Sequence, residues 1–415
     1  MPSRTTPTGC MQPRRFCGLV AIAVLLATSL LAGCAPRPSS RGSRDEVVIG
    51  AALPLSGALA SFGGFQKWGY EHAVAEANRA GGLLVGGKRM KVRLILRDDR
   101  SDPNVTSSDI DSLVSSDHVN ALLGSCTPPL VIPGGLAAER AQIPMVTGCA
   151  PIVAFTSAKR WRWVWDLFFN ETEVAELPFK LLRDDGVATN RRIAILHDNG
   201  PDGAVVGGKL WPQFAQAYGY TVAANIVFPT DTTNFDAGVQ QLKAAGADIV
   251  LIDAVTPQAV SIRKQMAAAG VGAKVLVVEK GAEPAQYATA LGSLAEGSLV
   301  AGYWDPSFPY PGAKALGDAF LAETGASESQ HIADSYTAAK VLLDAIQRAS
   351  SLDPDRLNDA IGKTNAVYPV GRIVFAANHT AALAVAEMQW QGGQIRVVWP
   401  AARANARLIA PSPAP

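Results

Sequence analysis

The sequence predicts an α/β protein built from two doubly wound lobes in tandem. From Val47 onward, short β-branched apolar runs alternate with amphipathic stretches, the pattern of parallel strands fed by crossover helices. The alternation runs twice, a second series starting after Trp165. Roughly 360 residues remain once a leader and a tether are set aside, more than one core usually covers.

The leader is the apolar run Leu19 to Leu31, introduced by Arg14 and Arg15 and closed by Leu31-Ala32-Gly33-Cys34. A basic start, a short apolar stretch too brief to span a bilayer and small residues at the end are what an export signal needs, so residues 1–33 read as a cleaved signal. Leu-Ala-Gly-Cys resembles the lipobox of bacterial lipoproteins, which implies lipidation of Cys34; the alternative is an ordinary signal with a chance cysteine. Met11 competes with Met1 as the start. Residues 34–45, rich in Pro, Ser and Arg, read as a flexible tether.

In the first lobe, strands are expected at Val47 to Leu53, Lys91 to Arg97, Ala121 to Leu123 and Pro144 to Thr147, with helices at Gly64 to Arg79, Val105 to Ser115 and Val131 to Ala141. Gly81-Gly82 stops the first helix, since glycine enters the left-handed region without a Cβ penalty. The second series begins with a helix at Glu171 to Arg183. It continues through strands Arg192 to Leu196, Val222 to Val227, Ile249 to Ile252 and Val275 to Val278, interleaved with helices at Gly203 to Ala217, Phe235 to Ala245 and Pro257 to Ala269. After a strand near Ser298 come helices Ala313 to Thr324 and Ile332 to Ala349, then strands Gly371 to Phe375, Ala384 to Trp390 and Ile395 to Trp399.

Val48-Ile49-Gly50, Pro54-Leu55-Ser56-Gly57, Asn78-Arg79-Ala80-Gly81-Gly82 and Asp98-Asp99-Arg100-Ser101-Asp102-Pro103 follow one another at set spacing. Leu123-Gly124-Ser125, Ile143-Pro144-Met145-Val146, Ile195-Leu196-His197-Asp198 and Gly371-Arg372-Ile373-Val374-Phe375 extend the series. Together they resemble the leucine/isoleucine/valine-binding-protein family of extracytoplasmic solute receptors. The resemblance implies a type I periplasmic-binding fold: two Rossmann-like lobes joined by three hinge crossings, with a solute in the cleft. It sets the crossings near Asp166, Tyr303 and Tyr368. The first lobe is then 46–166 plus 303–368, the second 167–302 plus 369–401, and 402–415 a tail. It also implies the substrate-binding, lipid-anchored component of an ABC importer of the branched-chain-amino-acid type. Its partners are a small solute, the permease subunits and the membrane holding the anchor, and the chain is expected to be monomeric. A sensor reporting to a signalling partner is the rival.

Ligands of open parallel sheets sit beyond the carboxyl ends of the strands, where helix starts offer backbone N–H groups to a carboxylate. Ser125-Cys126-Thr127 matches the family segment that holds the ligand carboxylate, with helix capping as the alternative for Ser125 or Thr127. Gly148 and Cys149 match the neighbouring segment, whose usual threonine is replaced by Pro151-Ile152. Phe62 falls where an aromatic closes over the ligand, or packs beneath the first helix. Asp202 is either a partner for a ligand cation or a helix N-cap. Asp253 ends a strand without the family's following aromatic, and Glu279 and Lys280 compete for the position that pairs with a ligand amino group. These departures make leucine, isoleucine or valine a doubtful cargo; a small amino-acid-like, carboxylate or amide solute is expected.

The full chain carries net charge +1 with 18% charged residues and no like-charge block, which argues against nucleic acid. Of five cysteines, only Cys126 and Cys149 remain after the leader and Cys34. They follow sequential strands of one lobe, so a disulfide at the cleft floor is expected, two buried thiols being the alternative. Trp161, Trp163 and Trp165 alternate, which puts them on one strand face as packing rather than a ligand cage. The histidines show no metal spacing, and neither metal nor cofactor is expected. No catalytic motif occurs; Asp98, Asp99 and Asp102 read as turn caps, and the protein as a non-enzyme.

Overall fold

The computed structural model describes residues 46–326 and 329–413; the signal, the tether and Cys34 lie outside the described residues. The first lobe opens with β1 (Glu46–Leu53), an apolar strand buried along nearly its whole length, as a strand covered on both faces must be. There follow α1 (Ala60–Arg79), β2 (Leu83–Val85), β3 (Lys88–Asp98), α2 (Pro103–Ser115), β4 (Ala121–Leu123), α3 (Pro128–Ala141), β5 (Met145–Thr147), α4 (Ile152–Ala158) and β6 (Val164–Phe168). Asp102 caps α2 by accepting from the amides of Asn104 and Val105, and Asp98 accepts from those of Leu55 and Ser56. These carboxylates thus close turns.

The second lobe runs α5 (Glu171–Asp185), β7 (Arg192–Asp198), α6 (Pro201–Val205), a π turn at Val206–Leu210, α7 (Trp211–Ala217), β8 (Thr221–Phe228), α8 (Asp236–Ala245), β9 (Ile249–Ala254), α9 (Thr256–Ala268), β10 (Val275–Lys280), α10 (Gln286–Leu291) and β11 (Ser298–Gly302). The chain then returns through α11 (Ala313–Thr324), α12 (Gln330–Ala349), α13 (Pro354–Gly362), the hairpin β12 (Asn365–Tyr368) and β13 (Gly371–Val374), β14 (Thr380–Ala382), β15 (Ala386–Gln391) and β16 (Gln394–Trp399).

Two seven-stranded sheets result, ordered β14-β6-β5-β4-β1-β3-β2 and β16-β15-β11-β10-β9-β7-β8. Strands pair in parallel except at the edges, where β2, β15 and β16 run antiparallel. Apolar clusters cover both faces of each sheet. The strand order reverses beside β1 in one sheet and beside β7 in the other, and at such switch points the strand ends splay to leave a crevice.

The crossings differ from the sequence expectation. β6 continues past Asp166 to Phe168, so the chain leaves the first lobe at 169–170. The second crossing follows Gly302 and begins with Tyr303. The third lies at 383–385, not near Tyr368, because the edge of β6 is completed by β14, with Thr380 opposite Asp166. Phe375 and His379 pack on Trp165 and hold this stretch to the first lobe. Residues 402–413, expected as a tail, return to the second lobe, Asn405 donating to the Val397 carbonyl and Ser412 to that of Lys274. Of the three tryptophans only Trp165 belongs to β6. Trp161 stacks on Phe155 in a different cluster, so they do not share one strand face.

α1 lies so close under the turn after β1 that a Cβ on Gly63 would come within 2.1 Å of the Pro54 carbonyl oxygen. That contact is backbone, so Gly63→Ala is expected to cost about 2–3 kcal/mol in denaturant unfolding.

Candidate functional site

In the first lobe, β4 and β5 end side by side, and the segments that follow them form one wall of the cleft. Ser125 leaves β4 with its hydroxyl donating to Asp99 Oδ2 at 2.8 Å, so it is already bound behind the wall. Cys126 is fully buried and joined in a disulfide to Cys149, their Cα atoms 4.9 Å apart. Gly148 backs onto α12, where a Cβ would sit 3.1 Å from the Asp334 carbonyl oxygen. Thr127 faces the cleft and its side chain caps nothing. Its φ of 64° with ψ of 150° is a conformation that β-branched residues avoid, held there by the surrounding structure.

In the second lobe, the ends of β7, β9 and β10 bring three aspartates around one ammonium. Lys280 Nζ lies 3.0 Å from Asp198 Oδ2, 3.2 Å from Asp202 Oδ2 and 2.9 Å from Asp253 Oδ1. Lys280 adopts a left-handed backbone with φ 66°. Burial works against its charge, but Asp253, Asp202 and Asp198 outweigh it and hold the amine well above its ordinary value. Burial in turn raises Asp253 to about 8 and raises Asp202, with Lys280 opposing in both. Asp202 is not a cap, since Gly200 occupies that position of α6. Glu279 is buried with one oxygen 3.4 Å from the Ala301 amide and the other without a partner among the described residues. Burial, reinforced by Glu283, Glu387 and Asp253, raises it well above the usual carboxyl range.

A third component joins the lobes. α12 packs along α1, and its His331 presents Nδ1 to Asp334 Oδ2 at 2.9 Å and Nε2 to Glu283 Oε2, from the loop after β10. Tyr303, on the second crossing, donates to Asp334 and lies 3.1 Å from His331 Nδ1. Burial would lower the imidazole, but Glu283 and Asp334 raise it to about 10, so it is an imidazolium at neutral pH. Phe62 meets it edge-on, the ring centroids 5.0 Å apart.

Between the lobes lies a narrow cavity of about 30 Å³. Of the residues expected from sequence, Phe62, Thr127, Cys149, Asp202, Glu279 and Lys280 line it, and Asp253 grips Lys280 from behind. Ser125, Cys126 and Gly148 are not among its lining; the first is held by Asp99, the second by the disulfide and the third by α12. Sequence reasoning missed His331 and Glu283, and the apolar walls Phe168, Phe169, Val174 and Val206. The one readable trace was His331 and Asp334 at i,i+3 on a helix, a spacing that makes two side chains neighbours. Cys126, Cys149 and His331 bring three metal-capable atoms within 4.8 Å, yet sulfurs bonded to each other offer no thiolate.

Two parallel α/β lobes, three crossings and a cavity between the facing strand ends define a two-lobed solute-binding protein. The family model described as periplasmic binding protein matches residues 46–394. The chain belongs to the periplasmic binding protein family, which implies an extracytoplasmic location. It is 27% identical over 391 residues to Leu/Ile/Val-binding protein homolog 8 of Brucella abortus, covering 88% of this chain and 93% of that one. It is 25% identical to homolog 7 of Brucella suis, covering 95% and 99%. Among solved structures, the branched-chain amino acid transporter substrate binding protein LivJ from Streptococcus pneumoniae, in complex with isoleucine, superposes with a TM-score of 0.75 at 20% identity, covering 86% of this chain and all of that one. A solute binding protein of an ABC transporter from R. palustris, in complex with benzoate, gives 0.74 at 18% identity, covering 89% and 98%. No described helix is long and apolar enough to cross a membrane.

Removing the ammonium would leave Asp198, Asp202 and Asp253 facing one another. Lys280→Met is therefore expected to lower stability by about 3–5 kcal/mol, read by denaturant unfolding. His331 titrates near 6.5 in an unfolded chain and at about 10 here. Its stabilisation is therefore complete below about pH 6.5 and lost as pH rises through about 10. Melting temperature should fall across that window, and His331→Gln should flatten the fall.

Proposed function

We propose that this protein is the extracytoplasmic solute receptor of an ABC importer of the branched-chain-amino-acid type. The lobes part about the three crossings, admit a small amino-acid-like, carboxylate or amide solute and close on it, and the permease recognises the closed form. The observation that carries this reading is the cavity itself. Carboxyl groups of Asp202, Glu279 and Glu283 share a space at the switch points with the apolar walls Phe62, Phe168, Phe169 and Val206. Such a lining fits a solute with an apolar body and one hydrogen-bonding end. At about 30 Å³ the cavity has room for only a few atoms, so uptake requires the lobes to open. The names of the Brucella relatives and the isoleucine and benzoate of the two structural neighbours support the same size and chemistry.

The reading extends to the membrane. Lipidation at Cys34 would moor the receptor beside its permease and raise its effective concentration there. Cys34→Ser is expected to move the protein from the membrane fraction to the soluble extracytoplasmic fraction; unchanged fractionation overturns the anchor.

A ligand that selects the closed form raises apparent stability by about 2.7 kcal/mol at a hundredfold excess over Kd. Thermal-shift screening of mixed metabolites should return small amino-acid-like, carboxylate or amide compounds. Hits confined to sugars, or none at all, would overturn the solute assignment.

A further inference from the structure

The two walls of the cleft differ in what they offer a ligand's polar end. A carboxylate in such a crevice is ordinarily met by free N–H groups at a helix start and by hydroxyl donors. Two helices start on the first-lobe wall, α3 and α4; the amides of Ile152, Val153 and Ala154 in α4 donate to Phe169 and Glu171, and the first turn of α3 supplies none. Its first two residues, Pro128 and Pro129, carry no N–H. The next two amides, of Leu130 and Val131, donate to the Thr127 carbonyl, and the Thr127 amide donates to the Cys149 carbonyl. The Ser125 hydroxyl is spent on Asp99, and the Thr127 hydroxyl caps nothing.

The opposite wall is rich in carboxyl groups. Asp202, Glu279 and Glu283 line the cavity, with Asp198 and Asp253 directly behind. The two cationic groups there are already held, Lys280 by three aspartates and His331 by Glu283 and Asp334. A ligand carboxylate would have to displace one of these carboxyls. Glu279, 4% exposed, carries an oxygen with no partner among the described residues. Burial disfavours its ionised form, and a ligand ammonium beside it would favour that form and donate to this oxygen.

We propose that the cleft selects a small solute whose polar end is an amide or amine and that bears no free carboxylate, with Glu279 and Asp202 as acceptors and Pro128-Pro129 excluding the acid. This narrows the ligand class of the receptor reading above and rests on it.

The test is calorimetric titration of the detergent-solubilised full-length protein with a balanced metabolite panel. The panel pairs each carboxylic acid with the amide or amine of the same carbon skeleton, such as leucine with leucinamide and benzoate with benzamide. The carboxylate-free member of the binding pair is expected to be at least about tenfold tighter. An acid that binds as tightly as its partner, or tighter, overturns the proposal and leaves the receptor reading intact. Silence from every pair removes the receptor reading and this proposal with it. In Pro128→Ala/Pro129→Ala, two restored N–H groups should shrink the discrimination by about tenfold; unchanged discrimination overturns the role given to the prolines. Glu279→Gln, which keeps shape and burial, should weaken amine-bearing members more than amides; equal affinity for both overturns its assignment as acceptor.

Discussion

The attachment of Lys280 to three aspartates, two at strand ends and one on α6, is the constraint around which the second half of the cleft is arranged. A buried ammonium is tolerated only when its charge is matched and its donors are taken. Asp198 closes β7, Asp253 lies near the end of β9 and Lys280 itself ends β10, so the cluster ties three adjacent strands at the switch point of the sheet. The left-handed backbone at Lys280 is held by these contacts. Had the lysine pointed outward, the aspartates would have converged without a counter-charge. Because it points inward, the same carboxyls face the solute with their principal cation already taken.

The first lobe solves the matching problem with fewer charges. Asp99 accepts from the Ser125 hydroxyl and the Ser101 amide behind the wall, and the disulfide fixes the segments after β4 and β5 to each other. The face left toward the cleft is thus mainly aromatic and aliphatic. The two walls are complementary in kind, one apolar and firmly braced, the other acidic.

The architecture was legible in the sequence because parallel α/β units announce themselves locally, through β-branched runs and amphipathic stretches. Helices such as Ala313–Thr324 need only their own residues to be recognised. Boundaries slipped where context outweighed propensity. Pro128 looks like a breaker, yet proline fits the first turn of a helix, so α3 begins three residues before Val131. β10 looks finished at Val278, but buried partners carry it on to Lys280. The third crossing differs because strand-like patterning in the last fifty or so residues does not say which sheet a strand joins. Within the site, Asp202, Asp253, Glu279 and Lys280 each stood out singly, whereas the pairing of Lys280 with three aspartates is a relation between distant segments. The ambiguity between Glu279 and Lys280 dissolves in the same way: both reach the cavity, one with an oxygen unpartnered among the described residues and the other saturated.

Tyr303 belongs at once to the axle and to the cargo hold. It lies on the second crossing, yet its hydroxyl meets Asp334 and reaches toward the His331 ring that flanks the cavity. On the receptor reading proposed above, a solute that repositions the charges of the cleft would act on the second crossing through this one hydroxyl.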